Sequence, residues 1–344
     1  MDISLLLRSL KDGKAPWMIE NVYKLKNIMS GEVKELGFLH KPESCYRKIL
    51  LEILEKGVLK SNRTGTDTKS LFNTSWNSGE LLTKGYFPMI TMRRIWFKGA
   101  LVELFWILGI LQAQNPLPNI DRNNVMYLKN ENVHYWDKWA DEKGDLGPVY
   151  GKQLMEWDCG YWEAEAAEAE EENRSSLKRV TINQIQKIVD TLRTNPDDRR
   201  MVATMLNPGE VNQMALWPCH YAVEFYSEPK ENGSRKLSLR WIQRSVDVPI
   251  GLPYDICLYS LLLVMMAKMT NHNIGTAYAS LGDSHIYVDQ INGVKEMLKS
   301  SIYYPPKLKY TGPDYVENIN DFQLEWFTIE DYKYEKVINM PVAK

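Results

Sequence analysis

Met214-Ala215-Leu216-Trp217-Pro218-Cys219-His220 is the stretch on which the reading of this chain turns. It lies beyond an Arg199-Arg200 pair and ahead of Gln243-Arg244-Ser245-Val246-Asp247. A proline-preceded thiol with three arginines in neighbouring segments suits a nucleophile that works beside an anion. The thiolate is the reactive form, and guanidinium groups close by are expected to lower the pKa that controls it. A lone cysteine is more often a small buried hydrophobe, so the surrounding segments have to decide.

Composition narrows the field. A chain of 344 residues can bury a large core, as one big domain or two ordinary ones. Its 44% hydrophobic and 25% charged content is ordinary for a soluble globular protein. A net charge of -2 offers no electrostatic footprint for duplex nucleic acid. The four cysteines (Cys45, Cys159, Cys219, Cys257) form no Cys-x-x-Cys pair and have no histidine cluster beside them, so neither a zinc site nor a disulfide framework is expected. No metal is expected. The start lacks the basic and apolar regions of a secretory signal. The apolar runs 101–111 and 256–267 are too short to cross a bilayer and read as buried helices. The expected compartment is the cytoplasm, with no membrane partner.

Along the chain, residues 1–40 read as an N-terminal extension, and 41–344 as the catalytic domain. Apolar spacing predicts helices over 43–57, 97–111, 182–194 and 254–270, the first ending at Gly57. Residues 201–206, 220–227 and 236–242 alternate or run apolar like strands. The glutamate- and alanine-rich stretch 161–178 reads as a solvated insertion, helical or disordered, because like charges repel and stay hydrated.

Taken in order, further motifs join Cys219. They are Arg63-Thr64-Gly65-Thr66, Glu103 in an apolar helix, Trp136-Asp137-Lys138-Trp139-Ala140-Asp141 and Gly147-Pro148-Val149-Tyr150-Gly151. Asp198-Arg199-Arg200, Gln243-Arg244-Ser245, Asp247, Gly251-Leu252-Pro253, Asp283-Ser284-His285-Ile286-Tyr287 and Pro341-Val342-Ala343 complete the set. Over roughly residues 43–344 this ordered set resembles thymidylate synthase. The resemblance implies an α+β fold, a large mixed sheet covered by helices, a homodimer formed through the sheet, and 5,10-methylenetetrahydrofolate as one-carbon donor. It implies that Cys219 attacks C6 of a pyrimidine nucleotide. Arg63, Arg244 and Ser245, with Arg199 and Arg200 of the partner subunit, would hold the 5′-phosphate, for which arginine's fork is suited. His285 and Tyr287 would bind the deoxyribose hydroxyl, and Gln243 the nucleotide. Trp136, Leu216, Asp247 and Gly251 would meet the folate. Glu103 and Tyr150 would manage proton transfers through water.

One position departs from the family pattern. Thymidylate synthases acting on dUMP carry asparagine where this chain has Asp255. Cytosine offers an acceptor at N3 and donors at its 4-amino group, which a carboxyl group and one proton can match. Against dUMP, a carboxylate would face the O4 lone pairs without a donor. Asp255 therefore resembles the deoxycytidylate branch, the bacteriophage dCMP methyltransferases and hydroxymethylases, with dCMP as substrate and Asp255 assisting catalysis. An ordinary thymidylate synthase acting on dUMP is the alternative. Retained Trp136 and Leu216, which shield hydride transfer in the family, favour a methyl product. Trp217 beside the nucleophile and Lys344 at the end of the chain depart from the pattern, keeping a hydroxymethyl product in play. A DNA cytosine methyltransferase also uses a Pro-Cys nucleophile, but the glycine-rich cofactor loop and basic groove it requires are missing.

Overall fold

The computed structural model describes residues 41–164 and 177–342. The N-terminal extension 1–40, most of the acidic stretch (165–176), Ala343 and Lys344 lie outside the described residues. The elements, in chain order, are α1 (Lys41–Lys56), β1 (Val58–Lys60), β2 (Thr68–Asn77), α2 (Phe97–Ile107), α3 (Ile110–Gln114), α4 (Met126–Asn130), α5 (Gly151–Met155), β3 (Trp157–Ala164), β4 (Leu177–Ile182), α6 (Gln184–Thr194), β5 (Val202–Thr204), β6 (His220–Pro229), β7 (Arg235–Asp247), α7 (Gly251–Thr270), β8 (Asn273–Tyr287), α8 (Ile291–Met297), β9 (Lys307–Tyr310) and β10 (Phe327–Glu330).

In α1, Tyr46, Ile49, Leu50 and Ile53 recur on one face and are buried. The helix stops at Gly57, where an added Cβ would stand 2.4 Å from the Ile53 carbonyl oxygen. Glu43 in its first turn is buried and accepts from the Thr91 amide, the Thr91 hydroxyl and the Met92 amide, each at 2.7 Å. Burial pushes this carboxyl up to about 7 against the pull of those donors. The turn at 91–92 is thereby fastened to α1.

Six strands form the main sheet in the order β1-β2-β8-β7-β6-β5. Among the described strands only β7 and β8 run parallel, and α7 is the crossover that parallel neighbours require. By length and composition α7 could cross a membrane, but most of its side chains are buried inside this fold, packed against α2 and the sheet. Alternation along β7 sends Leu239, Trp241 and Gln243 inward and leaves Arg240 and Arg244 exposed. Among the described residues, nothing covers the sheet's other side where β5, β6, β7 and β8 meet. There Val202, Glu224, Arg240 and Tyr278 stand opposite one another across β5, β6, β7 and β8. Tyr226 is 66% and Tyr278 44% exposed on these strands, and Glu224 pairs with Arg240 at 2.6 Å.

Two expectations change. The helix expected over 97–111 breaks at Gly109, whose φ of 75° is left-handed, so α2 and α3 are separate. Residues 161–164 and 177–178, expected in a helical or disordered insertion, belong to β3 and β4, with Ala164 opposite Leu177. Pairing across the hairpin supplies the backbone partners that an isolated charged stretch lacks.

Candidate active site

Cys219 ends the 214–218 loop just where β6 begins, and is half-buried. Arg244, on the neighbouring strand, holds that loop. Its Nε donates to Pro218 O at 2.9 Å, its Nη2 to Trp217 O at 2.8 Å, and its amide to Cys219 O at 2.8 Å. The Cys219 amide in turn donates to Tyr150 Oη at 2.9 Å. Tyr150 takes a strained backbone, φ 20° and ψ -77°, between two glycines that have no room for a side chain. A Cβ on Gly147 would fall 2.0 Å from Gln213 O, and one on Gly151 2.6 Å from Ile107 O.

The Cys219 thiol is pushed up rather than down. Burial outweighs Arg244 and Arg63, and Asp255 adds to the rise. The expectation of a lowered pKa fails because removing the thiolate from water costs more than two guanidinium groups return.

Asp255 occupies the second turn of α7 and faces a relay. Trp241 Nε1, which can only donate, bonds Gln243 Oε1 at 3.1 Å. That fixes the amide so that Gln243 Nε2 faces Asp255 Oδ2 at 2.9 Å. Asp255 Oδ1 lies 3.9 Å from His220 Nε2. His220 is bonded through Nδ1 to Tyr259 Oη at 2.6 Å and stacked on Tyr150. Burial drops the imidazole to about 3, so it stays neutral. Asp255 is pushed up to about 8, chiefly by burial, with the charges of Glu103 and Asp247 contributing. At neutral pH it keeps a proton. Oδ2 accepts from Gln243, which leaves Oδ1 as the favoured proton site.

Glu103 projects from α2. Its Oε1 accepts from Trp136 Nε1 at 2.6 Å and its Oε2 from Tyr135 Oη at 2.9 Å. Burial raises its pKa against these two donors. Trp136 is itself enclosed by Trp106, Trp139 and Tyr150.

At the end of β7, Asp247 Oδ1 accepts from the Ile250 amide at 3.1 Å and Oδ2 from Gln290 Nε2 at 2.9 Å. Gln290 Nε2 also reaches Pro341 O at 3.0 Å, tying the C-terminal segment to this carboxylate. Each Asp247 oxygen has spare lone pairs for the N–H donors of a pterin, so the group fits. His285 and Tyr287 pack edge to face, and Thr64, Arg63 and Cys219 lie close enough to the Tyr287 hydroxyl to act on its ionisation.

Cys219, Tyr150, Arg63, Arg244, Gln243, Asp255, Glu103, Trp136, Asp247, His285 and Tyr287 thus share one connected site. Ser245 is half-buried beside Gln243, whose Nε2 it accepts at 3.2 Å. Leu216 packs on the core edge near Cys219. Gly251 opens α7 with its nearest constraint 3.9 Å away at Asp247 Cβ, so no clash demands a glycine there. Arg199 and Arg200 stand apart, ahead of β5. Arg200 is turned to Asp198 at 2.5 Å, and Arg199 borders the open sheet face with Glu224 and Tyr226. Residues that sequence reasoning missed are Tyr135, Trp241, Tyr259 and Gln290, polar groups spent on orienting other side chains. Only the position of Tyr135 beside Trp136 could have signalled one of them.

The arrangement brings together a thiol, a proton-bearing acid, a second carboxyl held by Trp136 and Tyr135, and two arginines. This is the equipment for covalent addition to a nucleotide base. The model of the thymidylate synthase family matches residues 44–344, and the protein belongs to the thymidylate synthase family.

Proposed function

We propose that this protein transfers the one-carbon unit of 5,10-methylenetetrahydrofolate to C5 of dCMP, giving 5-methyl-dCMP and dihydrofolate. Its family makes it a folate-dependent one-carbon transferase acting on a pyrimidine nucleotide. The deoxycytidylate assignment rests on Asp255 and its setting. When the Cys219 thiolate adds to C6, negative charge spreads onto the ring. The proton on Asp255 Oδ1 can pass to N3, leaving a carboxylate opposite two donors, N3–H and the 4-amino group. Gln243, locked by Trp241, holds Oδ2 ready to accept.

The raised pKa of Asp255 changes the argument made from sequence. A protonated carboxyl has the donor that O4 of uracil requires, so discrimination depends on which oxygen carries the proton as well as on charge. The orientation imposed by Gln243 is what favours cytosine.

Folate supplies the carbon and, for a methyl product, the hydride. Asp247 and Trp136 would hold it; Glu103 and Tyr150 would handle the C5 proton through water. Arg199 and Arg200 would reach the nucleotide phosphate from a second protomer docked on the open sheet face, where exposed Tyr226 and Tyr278 await a partner. A hydroxymethyl product is the second reading, favoured by Trp217, 48% exposed where the family pattern differs. Mass spectrometry of the product formed from dCMP and methylenetetrahydrofolate separates the two. The product should gain a methyl group, with one dihydrofolate formed per turnover. A hydroxyl-bearing product without dihydrofolate contradicts it.

A further inference from the structure

One hydroxyl of the site has no part in the chemistry described so far. Tyr135 Oη lies 2.9 Å from Glu103 Oε2 and 3.0 Å from Gly99 O. A phenol has one proton and can also accept, whereas a carbonyl oxygen only accepts. When Glu103 is ionised, the phenol proton is best placed on Oε2. When Glu103 carries a proton on Oε2, that proton can point to the phenol oxygen, and the phenol proton turns to Gly99 O. Both states are then fully bonded. Glu103 Oε1 accepts from the Trp136 indole at 2.6 Å, a group that can only donate, so the proton is directed to Oε2.

We propose that Tyr135 is a positioning residue that keeps Glu103 hydrogen-bonded in both protonation states, so the carboxylate can take up and return a proton during turnover. The role rests on the one-carbon transfer proposed above. As the C5–H bond breaks, its electron pair stays with the ring and the proton passes through water to form the Oε2–H bond. Tyr135 begins and ends with one proton and only turns. A carboxyl lacking such a partner would leave a polar group unpaired in one of its two states.

The groups around this pair are few. Tyr135 and Trp136 face Glu103 from the 135–136 turn, while Asp255 and Tyr259 of α7 feel its charge. The Tyr254 ring is 6.3 Å from that of Tyr135. On α2 itself, Lys98 is paired with Glu131 at 3.1 Å.

The test is Tyr135→Phe, which keeps the ring and its packing on Tyr254. Full-length enzyme is assayed with methylenetetrahydrofolate and nucleotide tritiated at C5, following turnover and tritium release across pH. In the variant kcat should fall by about tenfold or more, with KM for the nucleotide little changed. Loss of a donor to the carboxylate destabilises its ionised form, so the limb on which kcat rises with pH should move to higher pH. A superimposable profile with undiminished tritium release, or a loss confined to KM, overturns the role of Tyr135. A wild type that releases no tritium from either dCMP or dUMP overturns the proposed function and this role with it.

Discussion

Two ionisations at Cys219 and Asp255 pull in opposite directions. In the proposed reaction the thiol would act after losing its proton, and Asp255 would assist while it still holds one. Burial raises both, and Asp255 reaches about 8. A carboxyl raised this far is protonated below that pH and ionised above it, so the assisting form is present on the acid side and lost as pH rises. We therefore expect kcat/KM for dCMP to descend as pH passes through about 8, since this ratio reports groups of the free enzyme. Asp255→Asn should lack that descending limb. A limb of equal position in wild type and variant would assign the ionisation elsewhere.

At the scale of elements, much was legible. The apolar spacing of α1 and the polar spacing between its buried positions announced the helix, and Gly57 announced its end. α7 was readable as a buried helix because almost every residue in 256–267 is apolar. Gly109 was not readable as a break. Its neighbours on both sides are apolar and continue the helical pattern, which hides the left-handed turn at φ 75°. The paired strands around the acidic stretch were likewise hidden, since charge content says nothing about backbone pairing. Residue types carried Cys219, Arg244 and Asp247 into the site because their chemistry is specific. They could not reveal the Trp241-Gln243-Asp255 relay, which joins β7 to α7 through contacts distant in the alternation pattern. Nor could they give the sign of the Cys219 shift, which depends on burial in three dimensions.

At the scale of the whole molecule, the separation of Arg199 and Arg200 from Cys219 is the informative fact. The chain carries the thiol, Arg63 and Arg244 in one place and the arginine pair ahead of β5 in another, beside a sheet face that no described residue covers. Pairing two such faces about a twofold axis would send each pair to the other protomer's site. Protomers bearing Arg200→Ala, mixed with protomers bearing Cys219→Ser, should then regain activity. Random exchange makes half the dimers hybrids with one intact site each, so recovery should approach about a quarter of wild type. Mixtures no more active than the separate variants, with subunit exchange demonstrated, would place the arginines outside the site.

Selection of cytosine by Asp255 is the proposal on which the substrate assignment stands. It is tested most directly by the ratio of kcat/KM for dCMP to kcat/KM for dUMP, in wild type and in Asp255→Asn. A site built on matched hydrogen bonds should favour dCMP by about 10²-fold or more, and the amide should shift preference toward dUMP by a comparable factor. A wild type that prefers dUMP, or a ratio untouched by the substitution, would contradict the account.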